Sequence, residues 1–120
     1  MNLYVAAIDW NNADGTLEYL GRIVKVTSNQ RRLLDTAYRQ IQQSLKESKG
    51  HWSPEAVLKL AESIWAKGGA DIQYLGLAVL EAAGKVLMWS QSSASLLKLY
   101  RKHTNVEIRS LASDIWTTVE

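Results

Sequence analysis

Residues 53–89 read SPEAVLKLAESIWAKGGADIQYLGLAVLEAAGKVLMW, and the helix signals in this stretch decide the fold. Ser53-Pro54-Glu55 predicts a helix start. Serine accepts a hydrogen bond from an end amide, proline suits the first helical position, and glutamate complements the helix dipole. Apolar residues then recur at helical spacing as far as Ile64. The pair Gly68-Gly69 predicts the end of this helix.

A second, longer helix is predicted from a cap at Asp71 to about Trp89. Its apolar residues cover more than one face, which is typical of a central, buried helix. Gly76 and Gly84 lie inside it, although a glycine costs about 1 kcal/mol against alanine in a helix interior. We therefore expect neighbouring helices to approach closely at both glycines.

Towards the N-terminus, an apolar stripe from Leu33 to Leu45 predicts an amphipathic helix of about five turns. It would be capped by Ser28 or Asn29 and would stop before Lys49-Gly50. A shorter helix, capped by Thr16, is predicted before it. The competing interpretation is a β-hairpin that pairs residues 3–10 with 17–26. Residues 1–15 are predicted to form an arm or a short strand.

Towards the C-terminus, residues 96–103 predict a short helix, and Thr104-Asn105-Val106-Glu107 matches the capping box of a last one. Apolar residues at steps of three and four continue that helix to Val119. The sequence thus predicts an all-α fold, a compact bundle of five to six helices. Residues 16–120 would form a single domain, with residues 1–15 as its N-terminal arm or strand.

Composition agrees with one helical domain. The chain has 120 residues, of which 47% are hydrophobic, with only one proline and seven glycines. It has no cysteine, which fits a reducing compartment. No apolar run reaches the length of a membrane span, and Asp9 and Asp14 interrupt any signal-peptide pattern. We expect an intracellular protein without membrane attachment. The net charge of +2 makes nucleic acid an unlikely main partner.

The residues that enzymes use are sparse. The only histidines, His51 and His103, lie far apart, and no nucleophile motif, metal-ligand spacing or phosphate-binding loop occurs. We therefore expect no enzyme activity, no cofactor and no metal site. Tryptophan is enriched in binding hot spots, and we expect at least one of Trp10 and Trp52 to be exposed.

The densest basic cluster runs from Lys98 to His103. With Arg109 it could form one positive face beside apolar Leu96, Leu97 and Tyr100, and such a face would suit an acidic, aromatic-containing peptide. The same pattern is equally typical of an ordinary solvated helix face, so both interpretations remain open. A basic patch of this size would bind nucleic acid only weakly.

Residues 97–112, LKLYRKHTNVEIRSLA, resemble the end of the N-terminal domain of transcription elongation factor S-II, a domain shared with elongin A and Mediator subunit 26. In that family a basic turn of the type R-K-H is followed by a cap and an E-(I/V)-x-x-L-A helix. The resemblance implies a helical bundle that binds short motifs in disordered transcription-associated proteins, in the nucleus. It also implies a docking groove near Leu97, Tyr100, Arg101, Lys102 and His103.

The leading functional hypothesis is therefore a protein-interaction module, monomeric, that binds a short acidic or aromatic motif in a disordered partner. The candidate contact residues are Leu97, Tyr100, Arg101, Lys102, His103 and Arg109. The alternative is an oligomerising scaffold, or a fragment of a helical-repeat protein of the HEAT or armadillo type. Weak nucleic-acid binding ranks third.

Overall fold

A computed structural model describes residues 9–115, which contain six helices and no strand. The helices are α1 (Ala13–Thr27), α2 (Arg31–Glu47), α3 (Pro54–Lys67), α4 (Ala70–Val86), α5 (Gln91–Tyr100) and α6 (Val106–Ser113). The Cα radius of gyration is 13.1 Å, close to the roughly 13 Å of a compact domain of about this size. The predicted all-α bundle is confirmed.

Helix α4 is the centre of the bundle. All nine residues from Ile72 to Leu80 are buried, because α2, α3, α5 and α6 all pack around this helix. A Cβ added to Gly76 would lie 2.5 Å from Ile64 Cγ2 and 2.8 Å from the Tyr100 hydroxyl. The predicted close approach at this glycine is confirmed, and it brings α3 and α5 onto the backbone of α4.

Helices α2 and α4 run side by side in the same direction. Tyr38 of α2 lies against Tyr74 of α4, with ring centroids 5.1 Å apart. Further along both helices, Gln42 Nε2 donates a hydrogen bond to Glu81 Oε1 (3.0 Å). Residue numbers therefore rise together along the pair, and both C-terminal ends lie at the same end of the bundle.

The predicted cap of α3 is confirmed, because Ser53 Oγ accepts a hydrogen bond from the Ala56 amide (3.3 Å). The caps predicted at Thr16, Asp71 and Thr104 are wrong. Asparagine is among the best N-cap residues, and it caps two of these three helices. The observed N-cap residues are Asn12 for α1, Gly69 for α4 and Asn105 for α6.

The capping box predicted at residues 104–107 does not form, because the cap is Asn105 and Glu107 is only the second residue of the helix. Asn105 Oδ1 accepts hydrogen bonds from the amides of Glu107 (3.0 Å) and Ile108 (3.1 Å), so one side chain serves two end amides. The predicted cap of α2 at Ser28 or Asn29 is also wrong, since the N-cap is Gln30.

The hairpin alternative is wrong, because α1 covers residues 13–27. The predicted N-terminal arm lies largely outside the described residues. Trp10 is buried, and its indole N–H donates to Ser44 Oγ (3.1 Å). Trp52 is buried as well, and its indole N–H donates to the Leu45 carbonyl (3.1 Å). The expectation that one of these two tryptophans would be exposed is therefore wrong.

The last helix is shorter than predicted. It ends at Ser113, and Ile115 lies beyond it as a buried residue. Residues 116–120, where the prediction continued to Val119, lie outside the described part of the chain. Between residues 9 and 115, no helix has the length and apolar character that crossing a bilayer would require.

Helix α4 ends three residues before the predicted Trp89, in a Schellman motif. The Trp89 amide donates to the Gly84 carbonyl (2.7 Å), and the Met88 amide donates to the Lys85 carbonyl (3.3 Å). Met88 and Trp89 both have positive φ, 54° and 53°. These bonds turn the chain sharply from α4 into α5.

Candidate functional site

The three apolar residues of the predicted binding face lie inside the bundle, and Leu96 is only 5% exposed. Leu97 is 1% exposed and Tyr100 is fully buried. The Tyr100 hydroxyl donates a hydrogen bond to the Gln73 carbonyl of α4 (2.9 Å), and burial raises the pKa of this phenol. Both side chains hold α5 to the core, so neither offers surface to a partner.

Arg101 stabilises the C-terminal end of α6 through hydrogen bonds to backbone carbonyls. Its Nε donates to the Ala112 carbonyl (3.3 Å), and its Nη2 donates to the Ile115 carbonyl (2.7 Å). Carbonyls at a helix C-terminus have no partner within the helix, and a guanidinium is well suited to them. The half-buried Arg101 is therefore a structural residue in this arrangement.

His103 orders the turn between α5 and α6. Its Nδ1 accepts a hydrogen bond from the Asn105 amide (2.9 Å), so Nε2 carries the proton and donates to Gln73 Oε1 (2.6 Å). The ring also meets Trp65 edge-on, with centroids 5.6 Å apart. Both ring nitrogens of the neutral form have partners, which leaves His103 no free nitrogen for a ligand.

The exposed remainder of the predicted face consists of cations and the apolar Leu99, and the adjoining helix α6 adds the exposed Val106. Lys102 and Arg109 are exposed, and Arg109 Nη1 donates to the His103 carbonyl (3.0 Å). Leu99 is 49% exposed and Val106 is 61% exposed. A partner at this face would therefore contact these side chains rather than Leu97 or Tyr100. Docking here remains a prediction.

A different concave surface lies between α2 and α4. This groove has a volume of about 400 Å³ near the C-terminal ends of the two helices. Apolar side chains from α2, α4 and the loop before α3 contribute to its lining: Leu45, Trp52, Ala78, Ala82 and Val86. We call it the lysine compartment, because three lysines also line it.

Those lysines come from both sides of the groove. Lys46 and Lys49 lie at the end of α2, and Lys85 lies in the last turn of α4. All three are exposed. Among residues 9–115, no carboxylate is within ion-pair distance of Lys46 or Lys49, while Lys85 Nζ lies 4.0 Å from Glu81. Apolar surface beside weakly compensated cations suits an acidic ligand with an apolar anchor.

A second compartment of about 420 Å³ lies further towards the N-terminal ends of α2 and α4. It shares Gln42 and Glu81 with the lysine compartment, so their hydrogen bond separates the two. Asp35 and Asp114 also line it, together with Arg39. We call it the acidic compartment.

The phenols of two tyrosines beside the acidic compartment have raised pKa values and stay neutral. Tyr74 donates to Asp35 Oδ1 (2.5 Å), and its pKa is raised by burial and then by this hydrogen bond. Burial, and then the nearby Glu81 charge, raise the pKa of Tyr38. Within residues 9–115, no group of three or more histidines or carboxylates is arranged to hold a metal ion.

Sequence reasoning missed the groove because its two walls are far apart in the chain. Lys46 marked only the polar side of one amphipathic helix, and Lys85 stood alone in a mainly apolar one. The available signal was the pair Lys46 and Lys49 following the apolar Leu45, at the end of the helix.

Comparison of the chain with protein-family models, with curated proteins and with solved structures found no match in any of the three.

Proposed function

We propose that this chain is a protein-interaction domain whose lysine compartment binds a short acidic segment of a partner protein. The observation that carries the proposal is the groove of about 400 Å³, in which apolar side chains lie beside Lys46, Lys49 and Lys85. An apolar anchor of the partner would fill the groove, and acidic residues beside the anchor would face the lysines.

The apolar lining favours a peptide over a bare phosphate backbone. Val86, which is 37% exposed, and the half-buried Ala82 offer apolar contact area to an anchor, which a bare phosphate backbone lacks. Electrostatic attraction would mainly speed the encounter, whereas the buried anchor would slow dissociation.

The resemblance of residues 97–112 to the S-II-type domain supports a disordered transcription-associated protein as the source of such a segment. The same resemblance supports an intracellular, nuclear site of action. The docking residues that it implies include Lys102, which is exposed. A Lys102 variant therefore tests whether the partner binds at that face and not at the lysine compartment.

The test is a titration of the isotope-labelled domain with a synthetic acidic peptide that carries one tryptophan anchor, followed by NMR. We expect shifts to cluster around Leu45–Trp52 and Ala78–Val86. Lys46→Glu should weaken binding about tenfold, the equivalent of one charge contact of about 1.4 kcal/mol. Lys59→Glu, an exposed substitution on α3, is the matched control, and Lys102→Glu reports on the rival face.

Several outcomes would contradict the proposal. One is an absence of shifts at millimolar peptide, and another is an equal loss of affinity with Lys59→Glu. Shifts confined to residues 97–109, lost with Lys102→Glu, would instead favour the face predicted from the sequence. The scaffold alternative predicts a mass that rises with protein concentration in light scattering, and a constant monomer mass would exclude it.

A further inference from the structure

The lysine and acidic compartments together form one groove along α2 and α4, which we call the α2–α4 groove. We infer that the segment bound by this groove is an amphipathic helix with a fixed direction. It would lie antiparallel to α2 and α4, with its acidic residues in the N-terminal half and its basic residues in the C-terminal half. This inference rests on the proposed function, and it adds the shape, charge order and orientation of the partner.

The first argument is the continuity of the two compartments. They meet at the Gln42–Glu81 hydrogen bond and both lie along α2 and α4, while the C-terminal end of α6 also bounds the acidic compartment. From Asp35 to Lys46 the α2 helix advances about 16 Å at 1.5 Å per residue, which is about three helical turns. A partner helix of three to four turns would therefore reach both compartments.

The second argument is the opposite charge of the compartments. The lysine compartment has three lysines and the shared Glu81. The acidic compartment has Asp35, Asp114 and the same Glu81 against Arg39 and against Arg31, whose Nε lies 3.9 Å from Asp35, so its charge balance is still negative. A segment with acids at one end and bases at the other complements this pair, whereas a uniformly acidic segment would be repelled at the second compartment.

The third argument concerns the conformation of the partner. Both walls of the groove are helices, whose backbone groups are already hydrogen-bonded, so an extended strand would find no free edge to pair with. Recognition must use side chains, which is how an amphipathic helix binds in a groove.

The direction follows from electrostatics. A helix is stabilised by acids in its first turns and by bases in its last turns. The acid-first helix then places its positive N-terminal end beside the C-terminal ends of α2 and α4, where Lys46 and Lys85 lie. Its dipole would oppose those of α2 and α4, which is the attractive arrangement.

The experiment compares two synthetic peptides with the same apolar positions and the same composition. One carries its acidic residues first and its basic residues last, and the other carries them in the reverse order. We expect the first to bind about tenfold more tightly to the intact domain. A nitroxide on its N-terminus should broaden the amide signals of Lys49 and Lys85, and a nitroxide on its C-terminus those of Asp35 and Asp114.

A charge reversal separates this inference from the proposed function. Asp114→Lys should weaken the acid-first peptide several-fold and leave a purely acidic peptide at least as tight. Glu62→Lys, an exposed change on α3, should alter neither. Equal affinity of both ordered peptides, each weakened by Lys46→Glu, would overturn the inference and keep the proposed function. The opposite nitroxide pattern would also overturn it. Binding of neither peptide, nor of the acidic one, would overturn both.

Discussion

The indole ring of Trp89 lies directly on the backbone of Gly84. A Cβ built on this glycine would be 2.6 Å from Trp89 Cε3, well inside van der Waals contact. The two residues are also joined by the hydrogen bond from the Trp89 amide to the Gly84 carbonyl. The glycine therefore lets the tryptophan fold back over the end of α4, and this contact fixes the corner into α5.

Replacing this glycine with alanine should destabilise the domain. Alanine favours a helix interior by about 1 kcal/mol, but forcing a methyl group against a buried ring costs typically 1–3 kcal/mol. We expect Gly84→Ala to lower the free energy of unfolding by up to about 2 kcal/mol, measured by urea denaturation.

Gly21→Ala is the matched control, because Gly21 lies inside α1 and an added Cβ would meet nothing within 4 Å. This substitution should raise the free energy of unfolding by about 0.5–1 kcal/mol. A stabilising effect of both substitutions would show that the Trp89 ring moves aside without cost.

Met88 is the exposed one of the two residues with positive φ at this corner. It is 71% exposed and has φ 54°, a left-handed conformation that costs an L-residue about 1–2 kcal/mol. Met88→Gly should therefore stabilise the domain by about 0.5–1 kcal/mol, after the greater freedom of glycine in the unfolded chain is deducted. Thermal unfolding followed by circular dichroism is the measurement. Met88→Ala keeps the Cβ, so an equal gain from alanine would contradict this explanation.

The sequence predicted the features that depend on local chemistry. Ser53 caps α3 as expected, because a serine before a proline satisfies an end amide without help from distant residues. The central position of α4 followed from its apolar residues on several faces. The close approach of neighbouring helices at Gly76 followed from the cost of leaving a glycine in a helix, whereas Gly84 is covered by Trp89 of the turn that ends its own helix and not by a neighbouring helix.

Features that depend on orientation around a helix could not be predicted as well. Neighbours such as Tyr100 and Arg101 look like one face in the sequence, but successive helical residues point about 100° apart. Leu97 and Tyr100 therefore point into the core while Lys98 and Lys102 are exposed. The α2–α4 groove joins residues about forty positions apart, a contact that no local pattern contains.

Alanine substitutions of the adjacent cations Arg101 and Lys102 can show which of the two side chains stabilises the fold. Arg101 donates to carbonyls at and beyond the end of α6, whereas Lys102 is exposed. We expect Arg101→Ala to lower the free energy of unfolding by about 1.5–3 kcal/mol, the range for hydrogen bonds to charged groups. Lys102→Ala should change it by less than about 0.5 kcal/mol. Equal effects in chemical denaturation would mean that Arg101 does not hold α6.

The buried tyrosines predict a loss of stability in alkali. Burial raises the pKa of Tyr38 and Tyr100 in the folded chain, whereas a tyrosine of the unfolded chain has a pKa of about 10. The stabilisation is therefore complete below about pH 10. Above it, the unfolded chain releases protons that the folded chain keeps, and stability falls by about 1.4 kcal/mol per pH unit for each such tyrosine.

Tyr100→Phe isolates one of these two contributions. The variant loses the hydrogen bond to the Gln73 carbonyl and should be about 1 kcal/mol less stable at neutral pH. Its stability should then fall less steeply above about pH 10, by about 1.4 kcal/mol per pH unit less than the parent. Urea denaturation at a series of alkaline pH values measures both effects. Parallel pH profiles for the two proteins would mean that Tyr100 ionises as readily in the folded chain as in the unfolded one.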